Sequence, residues 1–323
     1  MKQRLLKILE NFKDKRILVI GDIMLDKYLW GDVSRISPEA PVQVVNVLRE
    51  TYEAGGAANV ASNISALTGK AFMAGIVGND DAKNILLEEL NKKGINTEGI
   101  FIDRSKPTTQ KIRIIGKSQQ LLRVDYEKKE HAHKEIENSI IKFLEKAIKD
   151  VDVVVISDYA KGVITPDVCG KAIQQAKSSG KAIIVDPKPK HKSLYANVTL
   201  ITPNNAEASE MTGIEDGDES VADMGEKLMK SLNTNVLITR GEKGMSLFEL
   251  DGKTASIPAK AKEVYSLIGA GDTVVAAIAL AIASGAGLEE AATISNIAAG
   301  IKVGKIGTAS VSIEEIKREI EGI

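Results

Sequence analysis

Cysteine, long apolar runs and an excess of charge of one sign are scarce or absent in this sequence of 323 residues. Cys169 is the single cysteine, which excludes an internal disulfide framework. No window approaches the roughly eighteen consecutive apolar residues of a membrane span, and the most apolar stretch, residues 274–283, is short and alanine-rich. Because 43 Lys and Arg stand against 44 Asp and Glu, no global field attracts nucleic acid or an anionic membrane. We therefore expect a cytoplasmic protein with neither partner.

The hydrophobic pattern predicts a doubly covered α/β fold. Residues 1–14 mix cationic and apolar side chains at helical spacing, which indicates a surface helix and not a signal peptide. Beyond them, short β-branched runs alternate with longer segments of helical period, as in a mostly parallel sheet with helices on both faces. Strands are expected at 17–20, 153–156, 182–185, 199–201 and 236–238, and helices at 134–149, 165–177, 204–211 and 220–231.

The first third of the chain is less regular. Residues 42–48 and 111–116 look like strands with no helix directly beside them in the sequence, which indicates a small separate sheet. In the second run Lys111 and Arg113 alternate with isoleucines, so this sheet would bury one face and present a cationic one. With no linker or internal repeat, the sequence predicts one domain into which a small sheet is inserted in two pieces.

A small-residue turn near the C-terminus is a candidate phosphate site. Gly269, Ala270, Gly271 and Asp272 directly precede an apolar helical segment, and we call these four residues the anion-binding turn. The unpaired N–H groups at a helix start favour a bound anion. The Asp272 carboxylate could then accept the proton of an attacking hydroxyl. The alternative is a glycine-rich turn with an acidic helix-start residue.

Three further segments follow predicted strands. Asn204 and Glu207 lie one helical turn apart and could organise water around Mg²⁺, although the same pair also suits a capping box. Thr239 and Gly241 follow the strand at 236–238, where either a ligand loop or a tight turn between two strands fits. Lys188, after the strand at 182–185, could neutralise a phosphate.

The N-terminal third carries candidates for sugar recognition. Asp22 and Asp26 follow the first strand, and Gly55, Gly56 and Asn59 open a small-residue helix. Short polar side chains next to glycines suit the recognition of sugar hydroxyls, because a carboxylate accepts hydrogen bonds from neighbouring OH groups. A turn followed by a helix cap is the alternative for each segment.

Taken together, these motifs resemble the ribokinase (PfkB) family of ATP-dependent sugar kinases over nearly the whole chain. Residues 21–26 resemble its sugar-binding first strand, 55–56 its N-terminal signature, 204–207 its Asn-x-x-Glu, and 269–272 its anion hole and base. A closer similarity is to the D-glycero-β-D-manno-heptose 7-phosphate kinases, which act in the ADP-heptose branch of lipopolysaccharide synthesis. It rests on residues 21–28, 31–42, 119–125, 157–162 and 298–305.

The resemblance implies an architecture. We expect a ribokinase-like three-layer α/β/α domain over residues 1–323, with lid strands inserted at about 24–49 and 100–125. Such lids often pair, which implies a homodimer. Many bacterial relatives carry a nucleotidyltransferase domain with a His-x-Gly-His motif. No such motif occurs here, so only the kinase domain is expected.

It also implies a reaction: ATP-dependent phosphorylation of the heptose 7-phosphate at its 1-hydroxyl. Asp272 would be the base and Gly269, Ala270 and Gly271 the anion hole, with Glu207 holding Mg²⁺ through water. The implied sugar-binding residues are Asp22, Asp26, Gly55, Gly56 and Asn59. To these, charge and position add Lys161, Arg113 and Lys188 as candidate clamps for the 7-phosphate, with a solvated surface charge as the alternative for each. The implied nucleotide-binding residues are Lys188, Asn204, Thr239, Gly241 and Asn296.

Two positions depart from the family pattern. Ser266 and Ile268 stand where relatives carry Asp and Thr or Ser before the anion-binding turn, and the loss of the Asp argues against activation by K⁺. Two other functions stay open at this stage. One is a kinase of the same fold acting on another sugar or a nucleoside, and the other is a catalytically weak sugar-binding or regulatory protein.

Overall fold

Thirteen strands and ten α-helices make up the described part of the chain, residues 1–117, 119–260, 264–305 and 310–322 of a computed structural model. The strands are β1 (Arg16–Gly21), β2 (Ile23–Ile36), β3 (Gln43–Gly56), β4 (Lys70–Val77), β5 (Asn96–Ile102), β6 (Thr109–Gly116), β7 (Gln119–Tyr126), β8 (Val153–Ser157), β9 (Ala182–Asp186), β10 (Leu200–Ile201), β11 (Asn235–Thr239), β12 (Met245–Phe248) and β13 (Thr254–Ile257). The helices are α1 (Lys2–Glu10), α2 (Ala57–Ala66), α3 (Asp81–Lys92), α4 (Lys134–Ala147), α5 (Pro166–Ser178), α6 (Asn205–Thr212), α7 (Val221–Leu232), α8 (Ala270–Ala283), α9 (Leu288–Val303) and α10 (Ile313–Gly322).

Nine of the strands form the central sheet, in the order β13-β12-β11-β10-β9-β8-β1-β4-β5. Every pairing from β11 to β5 is parallel, and β12 and β13 add an antiparallel edge. At the centre, Val19 of β1 lies between Met73 of β4 and Val155 of β8. The predicted mostly parallel sheet is confirmed. The hairpin of β12 and β13 was not predicted.

Helices cover both faces of this sheet. They must do so because successive apolar side chains of β1 point to opposite faces. Ile17 and Val19 belong to one buried cluster, packed with residues of α1, α2, α3, α8, α9 and α10. Leu18 and Ile20 point the other way, into a cluster built with α4, α5, α6 and α7. The three-layer α/β/α expectation is therefore confirmed. Of the helices described, none is both long enough and apolar enough to cross a bilayer.

A second sheet of four strands, in the order β3-β2-β6-β7, forms the lid. β2 pairs antiparallel with β3 and parallel with β6, which in turn pairs antiparallel with β7. The chain enters the lid straight from β1 through Asp22 and returns at Gly56 into α2. Residues 100–102, expected in the second lid segment, instead belong to β5 at the edge of the central sheet, so that segment begins at Thr109.

Candidate active site

A cleft lies where the carboxyl ends of the central strands meet the lid. The loops after β8, β9, β10 and β11 open into it, at the edge where ligands bind in parallel α/β sheets. The N-terminus of α8 enters from the helical layer and brings the anion-binding turn. We call this region the site cleft, and its lining is Tyr159, Asp186, Lys188, Thr202, Asn204, Glu207, Thr239, Gly269, Gly271, Asp272, Val274 and Val275.

Asp272 is buried in the first turn of α8 and is held by two donors. The Asn59 amide nitrogen of α2 lies 2.5 Å from Oδ2, and the Tyr159 hydroxyl lies 2.7 Å from Oδ1. Burial raises the pKa of Asp272, while the hydrogen bonds from Tyr159 and Asn59 act in the opposite direction. A carboxylate with increased proton affinity and fixed orientation has the properties required of a general base.

The anion-binding turn depends on backbone that only glycine adopts easily. Gly269 is the N-cap of α8 with a φ of 74°, and a Cβ there would lie 2.8 Å from the Asn59 amide nitrogen. Gly271 faces open space, since an added Cβ would meet nothing within 4 Å. In the part of the chain described, no side chain caps the start of α8, but the Ala270 N–H donates to the Leu267 carbonyl oxygen at 3.3 Å, so the Gly271 and Asp272 N–H groups are the ones left for an anion.

The far side of the cleft carries carboxylates and one lysine. Glu207 Oε2 accepts a bond of 3.0 Å from the Asn204 N–H, and Asn204 Oδ1 accepts one of 2.9 Å from the Glu207 N–H. The capping box considered as the alternative is thus present, and yet both residues also line the cleft. Lys188 forms an ion pair with Glu207. Burial raises the pKa of Asp186, and the nearby Asp272 and Glu207 carboxylates raise it further.

This group of oxygens fits Mg²⁺ held largely by water and phosphate. Asp186 and Glu207 offer hard carboxylate donors, and the mutual repulsion around Asp186 is relieved by a cation. Among the described residues, no group of three or more His, Cys, Asp or Glu side chains could by itself enclose a metal ion. A metal there would therefore take its remaining ligands from solvent and from a bound nucleotide.

The lid side of the cleft contains a buried ion pair. Arg113 Nη1 of β6 donates to Asp26 Oδ1 of β2 at 2.6 Å, and both side chains are about nine-tenths buried. Gly55 of β3 approaches the same carboxylate so closely that a Cβ would lie 2.6 Å from Asp26 Oδ2. Three of the predicted sugar-binding residues, Asp26, Arg113 and Gly55, are thus brought together.

Replacing Gly55 with alanine should therefore disturb the predicted sugar-binding residues and leave the predicted nucleotide-binding residues in place. The added methyl group forces Asp26 to move, and displacement of a substrate-positioning group by about 1 Å can reduce activity up to about 100-fold. We expect kcat/KM for the acceptor to fall in steady-state assays while the KM for the nucleotide changes little. Gly170→Ala on α5 is the matched control, because its Cβ meets nothing within 4 Å. Equal acceptor kinetics in both variants would contradict this account of Gly55.

Asp22 does not line the site cleft but lines a small neighbouring pocket with Lys161, so its contact with the sugar stays a prediction. Its carboxylate accepts hydrogen bonds from the backbone N–H groups of Tyr159, Lys161 and Val163 at 2.8, 3.0 and 3.0 Å. The residue is only 1% exposed. Asp22 thus fixes the loop that carries Tyr159. Gly56, with a φ of 57°, makes a tight turn against the Asp22 carbonyl oxygen.

Lysines surround the lid side of the cleft. Lys161 forms an ion pair with Glu127 in which both side chains are 15% exposed, so the predicted phosphate clamp is neutralised by a carboxylate here. Lys111 is partly buried, with its ammonium nitrogen 5.6 Å from the ring centroid of Tyr159. Burial lowers the pKa of Lys111, and Arg113, Lys161 and Arg123 lower it further while Asp26 opposes them. The other three cations each have a carboxylate partner, in the ion pairs Arg113–Asp26, Lys161–Glu127 and Arg123–Asp125, which leaves the single positive charge of Lys111 among these side chains.

Beyond the anion-binding turn lies a mostly apolar pocket. It is lined by Thr239, Gly241, Glu242, Gly244, Met245, Ala259, Lys260, Val264, Leu267, Ala270, Gly271, Val274, Asn296, Ala299, Gly300 and Val303. Asn296 donates a bond of 2.7 Å to the Pro258 carbonyl oxygen. Thr239 ends β11 and Gly241 lies in the turn into antiparallel β12, so the turn between two strands is present, while the ligand loop stays a prediction. The pocket suits a flat apolar group whose charged tail reaches the turn.

Two site residues were missed from the sequence. Asp186 directly follows the predicted strand at 182–185 and was given no role, because the burial that raises its pKa could not be read from the sequence. Tyr159 was noted only within a motif of the resemblance, although its hydroxyl contacts the candidate base. The assembled site places a buried carboxylate and free helix N–H groups between an apolar pocket and a cationic lid. Such an arrangement suits phosphoryl transfer to a hydroxyl.

Known proteins are similar to almost the whole of this chain. The bifunctional protein HldE of Desulfatibacillum aliphaticivorans is 43% identical over 312 residues, which are 96% of this chain and 64% of that protein. HldE of Wolinella succinogenes is 45% identical over 311 residues, 96% of this chain and 65% of that protein. The chain thus spans less than two-thirds of the length of these relatives.

Solved structures share the fold at low sequence identity. Arabidopsis thaliana ribokinase complexed with ribose and ATP superposes with a TM-score of 0.75 at 20% identity, covering 96% of this chain and 99% of that one. Phosphofructokinase-2 from Escherichia coli gives 0.77 at 19% identity, covering 95% and 99%. The family description "pfkB family carbohydrate kinase" matches residues 14–316, which include the lid, the base and the anion-binding turn. This protein therefore belongs to the pfkB family of carbohydrate kinases.

Proposed function

We propose that this carbohydrate kinase transfers the γ-phosphoryl group of ATP to the 1-hydroxyl of D-glycero-β-D-manno-heptose 7-phosphate, giving the 1,7-bisphosphate. The position of Lys111 carries the proposal: its ammonium nitrogen lies 5.6 Å from the ring centroid of Tyr159, whose hydroxyl contacts Asp272, and a cation beside the candidate base favours an acceptor that already bears a phosphate. The sequence motifs shared with heptose 7-phosphate kinases point to the same acceptor. The relatives named HldE are bifunctional, and we assign to this chain the kinase activity alone.

In the proposed reaction, Asp272 removes the proton from the acceptor hydroxyl as that oxygen attacks the γ-phosphorus. Asn59 and Tyr159 hold the carboxylate in position. The N–H groups at the start of α8 stabilise the charge on the transferring group. Asp26 and Gly55 shape the sugar pocket, and the lid excludes water, which would otherwise be phosphorylated.

The nucleotide would occupy the apolar pocket, with its phosphates directed to the anion-binding turn. Thr239, Gly241 and Asn296 line the part that would receive the nucleoside. Asp186 and Glu207 would hold Mg²⁺ through water, next to Lys188 and Asn204. When bound, Mg²⁺ neutralises phosphate charge during the transfer. Since Ser266 and Ile268 replace the usual residues before the turn, we expect no activation by K⁺.

The test is ADP release with Mg²⁺ and ATP over a panel of acceptors, with and without K⁺. The panel contains the heptose 7-phosphate, sedoheptulose 7-phosphate, fructose 6-phosphate, ribose, fructose and adenosine. We expect turnover of the heptose phosphate alone, with the new phosphate on carbon 1. Preference for an unphosphorylated sugar or a nucleoside would overturn the heptose assignment. Binding of sugar without turnover of any acceptor would favour a regulatory protein.

Lys111→Met separates a phosphorylated acceptor from an unphosphorylated one. Loss of one charge-assisted contact should raise the KM for the heptose phosphate roughly ten- to a hundredfold. The KM for ATP should stay close to that of the parent enzyme. Lys177→Met, on the exposed face of α5, is the matched control. If both variants gave the same acceptor KM, the phosphate of the acceptor would not be bound at Lys111.

We also propose that two copies associate through their lids. Apolar side chains on the lid are exposed, among them Leu48 at 72% and Leu122 at 55%. Exposed apolar strands of this kind are normally covered by a partner. We expect a dimer in sedimentation equilibrium that Leu122→Glu shifts towards monomer. Leu250→Glu is the control, since Leu250 is 49% exposed but lies outside the lid. A parent enzyme that is monomeric would refute this assembly.

A further inference from the structure

Tyr159 connects three parts of the site. Its backbone N–H donates to the buried Asp22 carboxylate at 2.8 Å, and its hydroxyl donates to Asp272 Oδ1 at 2.7 Å. Lys111 of the lid and Lys188 of the nucleotide side each place an ammonium nitrogen 5.6 Å from its ring centroid. One side chain is therefore in contact with the base and with the cations on both substrate sides.

The two hydrogen bonds on Asp272 leave its carboxylate little freedom to rotate. Asn59 holds Oδ2 from α2, and Tyr159 holds Oδ1 from the loop after β8. These donors come from different layers of the fold, so a rotation that keeps one bond breaks the other. Without the Tyr159 hydroxyl, Asp272 Oδ1 would have no hydrogen-bond donor from this loop. The aromatic ring of residue 159 would still be in place.

We propose that Tyr159 is a positioning residue that holds the catalytic base in its reactive orientation and sets its proton affinity. This inference rests on the proposed function, in which Asp272 is the base. The hydroxyl acts through Asp272 and does not itself exchange a proton with substrate. The aromatic ring of Tyr159 has a second role. It fixes the distance between the hydroxyl and the two lysines, which would contact the two phosphate groups.

The electrostatic direction of this effect follows from the contacts. A hydrogen bond donated to a carboxylate stabilises its charged form, so the Tyr159 hydroxyl lowers the pKa of Asp272 against the upward shift from burial. Four other charged groups interact electrostatically with the Asp272 carboxylate: Asp26 and Lys111 of the lid, Asp186 of β9 and Lys302 of α9. Replacing tyrosine with phenylalanine leaves all four in place.

The experiment compares the pH dependence of kcat/KM for the parent enzyme and Tyr159→Phe. Activity requires the ionised base, so it is lost as the pH falls through the pKa of Asp272. Without the hydroxyl this pKa rises, and we expect the acidic midpoint to move upward by about one pH unit. At high pH kcat should be roughly tenfold lower, owing to lost orientation. Both KM values should change little, because the ring is retained.

Tyr195→Phe is the matched control. Tyr195 is a buried tyrosine whose hydroxyl donates to the Asp158 carboxylate at 2.6 Å and accepts from the Lys188 N–H at 3.1 Å, but no hydrogen bond joins it to Asp272. We expect its acidic midpoint to match that of the parent enzyme. If the parent enzyme is active and the acidic midpoint of Tyr159→Phe equals that of the parent, the inference about Tyr159 is overturned and the proposed function is not. A parent enzyme inactive with every acceptor would instead overturn the proposed function on which it rests.

Discussion

Asp272→Asn should lower kcat by about 10²–10⁴-fold, the range expected when a general base is removed. Asparagine has nearly the same shape and keeps an oxygen that can accept a bond from Tyr159 or Asn59. It has no affinity for a proton in the relevant range, so the acceptor hydroxyl would have to attack while still protonated. The loss should therefore appear in kcat and not in the binding of either substrate.

Quench-flow or coupled ADP release would measure kcat, and calorimetry would measure the affinity for ATP. Asp251→Asn is a suitable control, since Asp251 is exposed at the turn between β12 and β13 and pairs only with Lys253 among its described partners. We expect that control to behave as the parent enzyme in both measurements. Turnover of Asp272→Asn within about tenfold of the parent would assign the base to another group, with Asp186 the next candidate.

The parallel core could be predicted because its strands carry a local signal. Strands buried on both faces are continuous β-branched runs, as at Val153–Ser157, and helices between them keep a regular apolar period. The predicted strands at 17–20, 153–156, 182–185 and 236–238 all lie within observed ones. The hairpin of β12 and β13 was not predicted, because each of these edge strands has only four residues, too few to show a hydrophobic pattern.

The site was only partly predictable, for reasons that differ between residues. The anion-binding turn can be recognised locally, because glycines and an acid before an apolar helix form a contiguous pattern. Contacts between distant segments have no such pattern. Asn59 and Asp272 are 213 positions apart, and Tyr159 and Asp272 are 113 apart. Both contacts arise only when α2, α8 and the loop after β8 meet at the carboxyl end of the sheet.

Pairs of charges were also misjudged from the sequence. Arg113 and Lys161 were considered as free clamps for a phosphate, but each has a carboxylate partner, Asp26 and Glu127 respectively. Lys111 was seen only as part of a cationic face, although its position next to Tyr159 makes it the stronger candidate. Strand register does not decide which cation is paired, since it places Lys111 opposite both Asp26 and Asp125, while Asp26 forms its ion pair with Arg113, two residues further along β6.

Asp22→Ala should reduce both stability and turnover, because Asp22 anchors the loop that carries Tyr159. Three backbone N–H groups lose their acceptor: that of Val163 is buried, those of Tyr159 and Lys161 are part-buried, and a buried donor left unsatisfied costs about 1–3 kcal/mol. We therefore expect the free energy of unfolding to fall by about 1–3 kcal/mol. The loop should also shift, so that the Tyr159 hydroxyl no longer reaches Asp272 and kcat of the folded enzyme falls.

Urea unfolding followed by circular dichroism would give the stability, and kcat would be measured under conditions where each variant is folded. Asp80→Ala is the matched control. Its carboxylate also accepts backbone N–H bonds, from Lys83 at 3.0 Å and Thr108 at 2.8 Å, but at the start of α3 and away from Tyr159. Both variants should lose stability, yet only Asp22→Ala should lose kcat. If Asp22→Ala kept the stability and the kcat of the parent enzyme, the three N–H groups would have found other acceptors. Other contacts would then position the loop.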